Sequence, residues 1–187
     1  MFKQFVLPPL VLSVICAAVS SLLALAYDAT YKDETGVMTD KLTAACEDAA
    51  GQGEYEILLD DSKDKKTPVT FGEDEEIKAV IVDKKRKVAL IEMTEDGYET
   101  KGLDFVVGID ENGIITGVSF VECKETPGLG SREGESEYLD KYKKADNEDM
   151  IEKVDNVTAA TFSSKGLKKG LVKALEIYSA NKEEIFK

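Results

Sequence analysis

The chain has 187 residues, 37 of them acidic against 24 basic, and no histidine. The only charged residue before Asp28 is Lys3, so the rest of the chain carries a formal charge of −14. Such a surface repels nucleic acid, which needs its phosphates neutralised by Lys and Arg. The lack of histidine removes the commonest general base and metal ligand.

The first element is an apolar run from Phe5 to Ala26 without a charge. About 20 such residues are what a helix needs to span a bilayer core. Ala24-Leu25-Ala26 also has the small-x-small pattern of a signal-peptidase site. The run is longer than the usual apolar region of a signal peptide, about 7–15 residues, which favours a retained anchor. Cys16 follows the bulky Ile15, so it reads as an apolar residue of the anchor and not as a lipidation site. Lys3 precedes the run and Asp28, Asp33 and Glu34 follow it. The positive-inside rule then places the N-terminus in the cytoplasm and the remaining chain outside. The expected division is an anchor over residues 1–27 and one domain over 28–187, a length able to bury its own core.

Thr39 to Ala50 reads as a helix, broken by Gly51-Gln52-Gly53, and Asp60 to Lys66 as a polar loop. Ile77 to Val82 and Val88 to Met93 are β-rich runs, and the charged stretch Asp83 to Lys87 between them predicts a hairpin. Phe105 to Asp110 and Ile114 to Val121 form a second such pair around Glu111-Asn112-Gly113, where Asn-Gly is a strong hairpin signal. Leu139 to Tyr142 and Glu148 to Lys153 are short helical or irregular pieces. Leu167, Leu171, Leu175 and Tyr178 recur at helical spacing, widened by Val172 and Ala174. Lysines lie between them, and Ser163 or Ser164 is placed to cap this last helix. The fold class expected is α+β, an antiparallel sheet with helices packed on it. Cys46 and Cys123 could pair in an oxidising compartment, but two cysteines without a framework more often stay free. No CxxC or Cys/His cluster suggests a zinc or iron–sulfur site, and no metal or acid–base catalytic residue is assigned.

Two stretches carry chemistry. In Thr158-Ala159-Ala160-Thr161-Phe162-Ser163-Ser164, four hydroxyls precede or open a helix. Such a terminus offers backbone N–H groups and a favourable dipole to an anion. A phosphate held at Thr161 would have that support, with Lys165 adding charge and Asp155 orienting a hydroxyl or holding a metal during attachment. The same hydroxyls are also what ordinary helix capping uses. In Glu125-Thr126-Pro127-Gly128-Leu129-Gly130, Pro127 fixes a turn and the glycines open conformations closed to other residues. Leu129 is thereby displayed on a tight loop. It could pack on a flat aromatic cofactor, with Glu125 and Thr126 as polar contacts, or it could simply belong to a well-formed loop.

Asp155-Asn156-Val157-Thr158-Ala159-Ala160-Thr161-Phe162-Ser163-Ser164 resembles the flavinylation motif of the FMN-binding domain family, D-x-x-[S/T]-G-A-T-x-[S/T]-S. ETPGLG, from Glu125 to Gly130, matches that family's second hallmark letter for letter. Gly97-Tyr98, Val107 to Asp110, Asn112-Gly113, Ile115 and Gly117-Val118 also look like the family between its motifs. A short anchor ahead of such a domain resembles the RnfG-type subunits of the Rnf complex. The one departure is Ala159, where the family usually has glycine; alanine forbids backbone conformations that glycine allows.

The resemblance implies FMN joined through its phosphate to the Thr161 hydroxyl, installed by a flavin transferase of the ApbE type from FAD with magnesium. It implies Thr158, Ala159, Ala160, Ser163 and Ser164 around the phosphate, and Glu125, Thr126, Gly128 and Leu129 along the isoalloxazine. It also implies a redox subunit, not catalytic alone, of a membrane translocase oxidising ferredoxin and reducing NAD⁺ with sodium or proton movement. Its partners would be the membrane subunits A, D and E and the peripheral subunits B and C. The alternatives are the NqrC-like role in sodium-pumping NADH:quinone reductase and a free-standing anchored flavoprotein. A surface domain that has kept the fold and lost the flavin is a further rival.

Overall fold

The computed structural model describes residues 2–30, 37–60 and 76–187. The chain divides into two units, Met1–Glu34 and Thr35–Lys187. The first holds α1 (Phe2–Thr30). Within it Pro9–Thr30, 22 residues with a mean hydropathy of 2.3, is long and apolar enough to cross a membrane, a property that signal sequences share. The hydroxyls of Ser13, Ser21 and Thr30 donate back to the carbonyls of Pro9, Ala17 and Ala26. These polar groups are thereby satisfied within the helix, as a low-dielectric surrounding demands.

The second unit opens with α2 (Asp40–Ala50), capped by the Thr39 hydroxyl, which accepts the Leu42 N–H at 3.1 Å. Five strands follow: β1 (Glu56–Asp60), β2 (Ile77–Asp83), β3 (Val88–Glu95), β4 (Leu103–Asp110) and β5 (Ile115–Cys123). They form one antiparallel meander in sequence order. Both expected hairpins are present. In the second, Asp110 Oδ1 accepts the N–H groups of Asn112 and Ile114, and Gly113 takes φ +85°. β1 is an element the sequence reading did not anticipate. It is a short strand, bulged between Ile57 and Leu59, paired among the described residues with β2 alone. Asp60 ends this strand and does not open a loop; residues 61–66 of the expected loop lie outside the described residues.

Alternation along the strands sorts the side chains into two cores. Ala79, Ile81, Val88, Leu90 and Val106 face α2, against Leu42, Ala45, Cys46 and Ala49. Val80, Val82, Ile91, Met93, Phe105, Val107 and Ile109 face the other way. That face is covered by α5 (Thr161–Ile185) through Leu167, Leu171, Ala174, Leu175 and Tyr178, the stripe expected from helical spacing. The fold is α+β, a sheet with a helix on each face. Between β5 and α5 the chain runs through a 3₁₀ turn (Gly130–Gly134), α3 (Ser136–Leu139), a second 3₁₀ turn (Asp140–Tyr142) and α4 (Glu148–Glu152). Cys46 and Cys123 are free and pack on opposite faces of the sheet. Burial, reinforced by Glu92 and Glu47, pushes the Cys46 thiol up to about 12, which leaves it unreactive.

One capping expectation is corrected. α5 starts at Thr161, behind Ala160, and no side chain among the described residues caps it. Ser163 and Ser164 lie inside its first turn and point into the protein, both fully buried.

Candidate functional site

Three segments far apart in sequence meet at the N-terminus of α5. They are the β3–β4 connection, the loop after β5 and the approach to α5. Together they enclose a cavity of about 300 Å³. Tyr98 comes from the first; Glu125, Thr126, Leu129 and Gly130 from the second; Ala159, Ala160, Thr161, Phe162 and Ser163 from the third. Tyr98, Leu129 and Phe162 are large and apolar yet 72%, 46% and 69% exposed. The cavity thus has an exposed aromatic and aliphatic rim above a buried polar floor of Glu125 and Ser163.

The floor is held by Glu125. Its carboxylate accepts the N–H groups of Tyr98 (3.2 Å) and Glu99 (3.1 Å) and the Ser163 hydroxyl (2.5 Å). One side chain therefore ties all three segments together. A Cβ on Gly97, Gly102 or Gly130 would come within 2.4–2.7 Å of this carboxylate. Those positions admit only a residue without a side chain.

Each loop is built on a tight turn. Leu129 N–H donates to Thr126 C=O at 3.1 Å, with Pro127 second in the turn and Gly128 third at φ +77°. This is the pattern of a type II turn, whose third position needs positive φ. It presents Leu129 to the cavity, while Gly128 itself stays outside the lining. The approach to α5 repeats the pattern: Ala160 N–H donates to Val157 C=O at 3.0 Å, and the third residue, Ala159, has φ +67°. An alanine occupies a position whose geometry suits glycine.

Thr161 is the first residue of α5, exposed and on the cavity lining. An uncapped terminus leaves first-turn N–H groups without partners, and in a 25-residue helix they carry the positive end of the dipole. A hydroxyl, free amides and a flat apolar rim fit a phosphorylated aromatic cofactor such as FMN.

The remaining sequence-derived residues fall elsewhere. Thr158 and Asp155 line a neighbouring, more polar cavity of about 210 Å³ with Arg132, Tyr138 and Lys141. Asp155 C=O accepts the Tyr138 hydroxyl at 2.8 Å. Lys165 is exposed on α5, outside both cavities. Ser164 is fully buried and lines neither; its hydroxyl bonds the Glu133 carboxylate. Glu133, itself fully buried, is held above the usual carboxylate range by burial, against the Ser164 hydrogen bond. Tyr98, Phe162 and Glu133 are not among the site residues expected from the sequence. A tyrosine directly after a glycine and a phenylalanine amid hydroxyls were the available signals; Glu133 offered none. Among the described residues no group of three or more Cys, Asp or Glu side chains is placed to hold a metal.

Residues 97–176 match the FMN-binding domain family. The match takes in β4, β5, both motif loops and most of α5, and so all three segments of the cavity. It points to FMN as the cofactor and to flavin-based electron transfer as the role. No curated protein matches the chain.

Proposed function

We propose that this FMN-binding domain carries its flavin covalently, through a phosphoester between the FMN phosphate and the Thr161 hydroxyl. The observation that carries the reading is the placement of Thr161. Its hydroxyl stands at an uncapped helix N-terminus, on the edge of a cavity rimmed by Tyr98, Leu129 and Phe162. A flavin transferase of the ApbE type, with magnesium, would supply the FMN half of FAD. The Thr161 oxygen would bond the FMN phosphorus as the pyrophosphate P–O bond breaks, AMP leaving and the hydroxyl proton being released. The first-turn amides of α5 would face the phosphate, and Leu129, Tyr98 and Phe162 the ring. FMN, once bound, would supply the redox chemistry, and the protein its position and surroundings.

The circuit proposed is that of an RnfG-type subunit, passing electrons between neighbouring membrane subunits of a ferredoxin:NAD⁺ oxidoreductase that moves sodium or protons. Support comes from the apolar helix ahead of the domain and from the two motifs. The helix would anchor the chain in the cytoplasmic membrane with Lys3 inside and the acidic domain outside.

In-gel flavin fluorescence after denaturing electrophoresis tests the attachment, on the full chain co-expressed with a flavin transferase. A fluorescent band lost in Thr161→Val, with unchanged circular dichroism, is expected. A dark wild-type band, or a fluorescent Thr161→Val band, overturns the assignment.

A further inference from the structure

Two consecutive serines of α5 each hold a buried carboxylate from the loop after β5. Ser163 donates to Glu125 and Ser164 bonds Glu133, partners 38 and 31 residues upstream. Glu125 and Ser163 line the cavity; Glu133 and Ser164 do not. We propose that Glu133 is a positioning residue for the Thr161 hydroxyl, acting through Ser164. The inference rests on the reading of Thr161 as the attachment point.

Ser164 Oγ accepts the Val157 N–H at 3.0 Å and lies 3.0 Å from the Ala160 carbonyl oxygen. Val157 and Ala160 are the two ends of the turn that delivers the chain to Thr161. One buried hydroxyl therefore grips both ends of that turn, and Glu133 Oε1 grips the hydroxyl. The other carboxylate oxygen, Oε2, is buried without a hydrogen-bond partner among the described residues.

Counting protons shows why the carboxyl matters. A serine hydroxyl has one hydrogen to donate. When it donates to Ala160 C=O, Glu133 must donate to it, which needs a protonated carboxyl. When Glu133 is ionised, the serine hydrogen turns to the carboxylate and leaves Ala160. Burial, with Glu125 acting in the same direction and Ser164, Tyr138 and Lys168 opposing, holds Glu133 above the usual carboxylate range. In its protonated form the carboxyl supports the arrangement in which both ends of the turn are held. Attachment requires the Thr161 oxygen to meet phosphorus in line, and a misplacement of about 1 Å can cost about 10²-fold in rate.

The test uses the full chain in detergent with a flavin transferase, FAD and magnesium. It follows the rate of appearance of in-gel fluorescence, together with hydrogen exchange at the Val157 amide before flavin is added. Glu133→Ala and Ser164→Ala are each expected to slow attachment by about 10- to 100-fold. They should speed Val157 exchange by about tenfold, as loss of one hydrogen bond implies. Glu133→Gln, whose amide can donate to Ser164, should restore both to within about threefold of wild type. Leu175→Ala, about three turns farther along α5, should lower the melting temperature and leave both rates at their wild-type values. Wild-type attachment in Ser164→Ala or Glu133→Ala overturns the inference, as does equal slowing in Leu175→Ala. A wild-type chain that takes no flavin fails the reading of Thr161 itself, and this inference with it.

Discussion

At the scale of single residues, Ala159 is the most exacting position. Its φ of +67° closes the turn before α5, and an L-residue pays about 1 kcal/mol or more to sit there. Ala159→Gly removes that strain but adds freedom to the unfolded chain, worth about 0.4–1 kcal/mol in the other direction. The expected net effect is a gain of up to about 0.5 kcal/mol. Ala159→Val, with its branched Cβ, should lose more than about 1 kcal/mol. Urea unfolding of the three proteins checks the order Gly, Ala, Val; a clear loss in the glycine variant would contradict the strain. The family motif flagged this position, but only the backbone shows why glycine is usual there. The serines at 163 and 164 show the opposite limit. A hydroxyl next to a helix start looks like a cap, and nothing local reveals that its partners are glutamates more than 30 residues upstream.

Among the elements, α2 is fastened at its C-terminal end by the β2–β3 turn. The Arg86 guanidinium donates to Ala50 C=O and Gly51 C=O, to Tyr55 Oη at 2.9 Å and to Asp83 Oδ2 at 2.6 Å. Asp83, buried, also accepts the Lys85 and Arg86 N–H groups at 3.0 Å each. Arg86→Ala strips partners from two helix-end carbonyls and from a buried carboxylate. It should cost about 2 kcal/mol in urea unfolding. Arg86→Lys should recover only part of this, because one ammonium cannot reproduce the fork. Neither change touches the cavity, so flavin attachment should persist in both. The hairpins were legible in the sequence because their strands are continuous apolar runs and their turns carry charged or Asn-Gly signals. β1 was not: five residues, two of them acidic and paired on one edge, give a period too short to read. The start of α5 lies three to four residues before the one expected from a Ser163 or Ser164 cap, since helix ends depend on tertiary partners.

The whole domain is acidic outside and holds several carboxylates inside, and its stability should follow pH accordingly. Glu95, Asp104 and Glu133 are held above the usual range, in each case chiefly by burial. The folded state keeps these protons to higher pH than the unfolded chain does, so their contribution is lost as pH rises through the folded pKa values. Glu76 is held below the usual range by hydrogen bonds from Lys173 and Lys169. Asp83 also lies below it, its burial outweighed by Arg86. The contribution of these two is lost as pH falls through their depressed values. Between the two arms stability should peak on the acid side of neutrality. The formal charge of −13 adds repulsion at pH 7 that salt screens. Urea midpoints measured from pH 4 to 8 should show that maximum, and added salt should raise the midpoint at pH 8 more than at pH 5. A midpoint that climbs steadily to pH 8 would contradict the assignment of the raised carboxyls.

The cavity draws its walls from three stretches that only the finished sheet brings together. In an unfolded copy Thr161 is one threonine in a polar stretch, with no rim and no helix end beside it. A flavin fixed there as proposed would be a permanent mark, written only on chains that had already folded. The glowing fraction of a population would then count past folding successes, and would go on counting them after heat or urea had erased the fold itself.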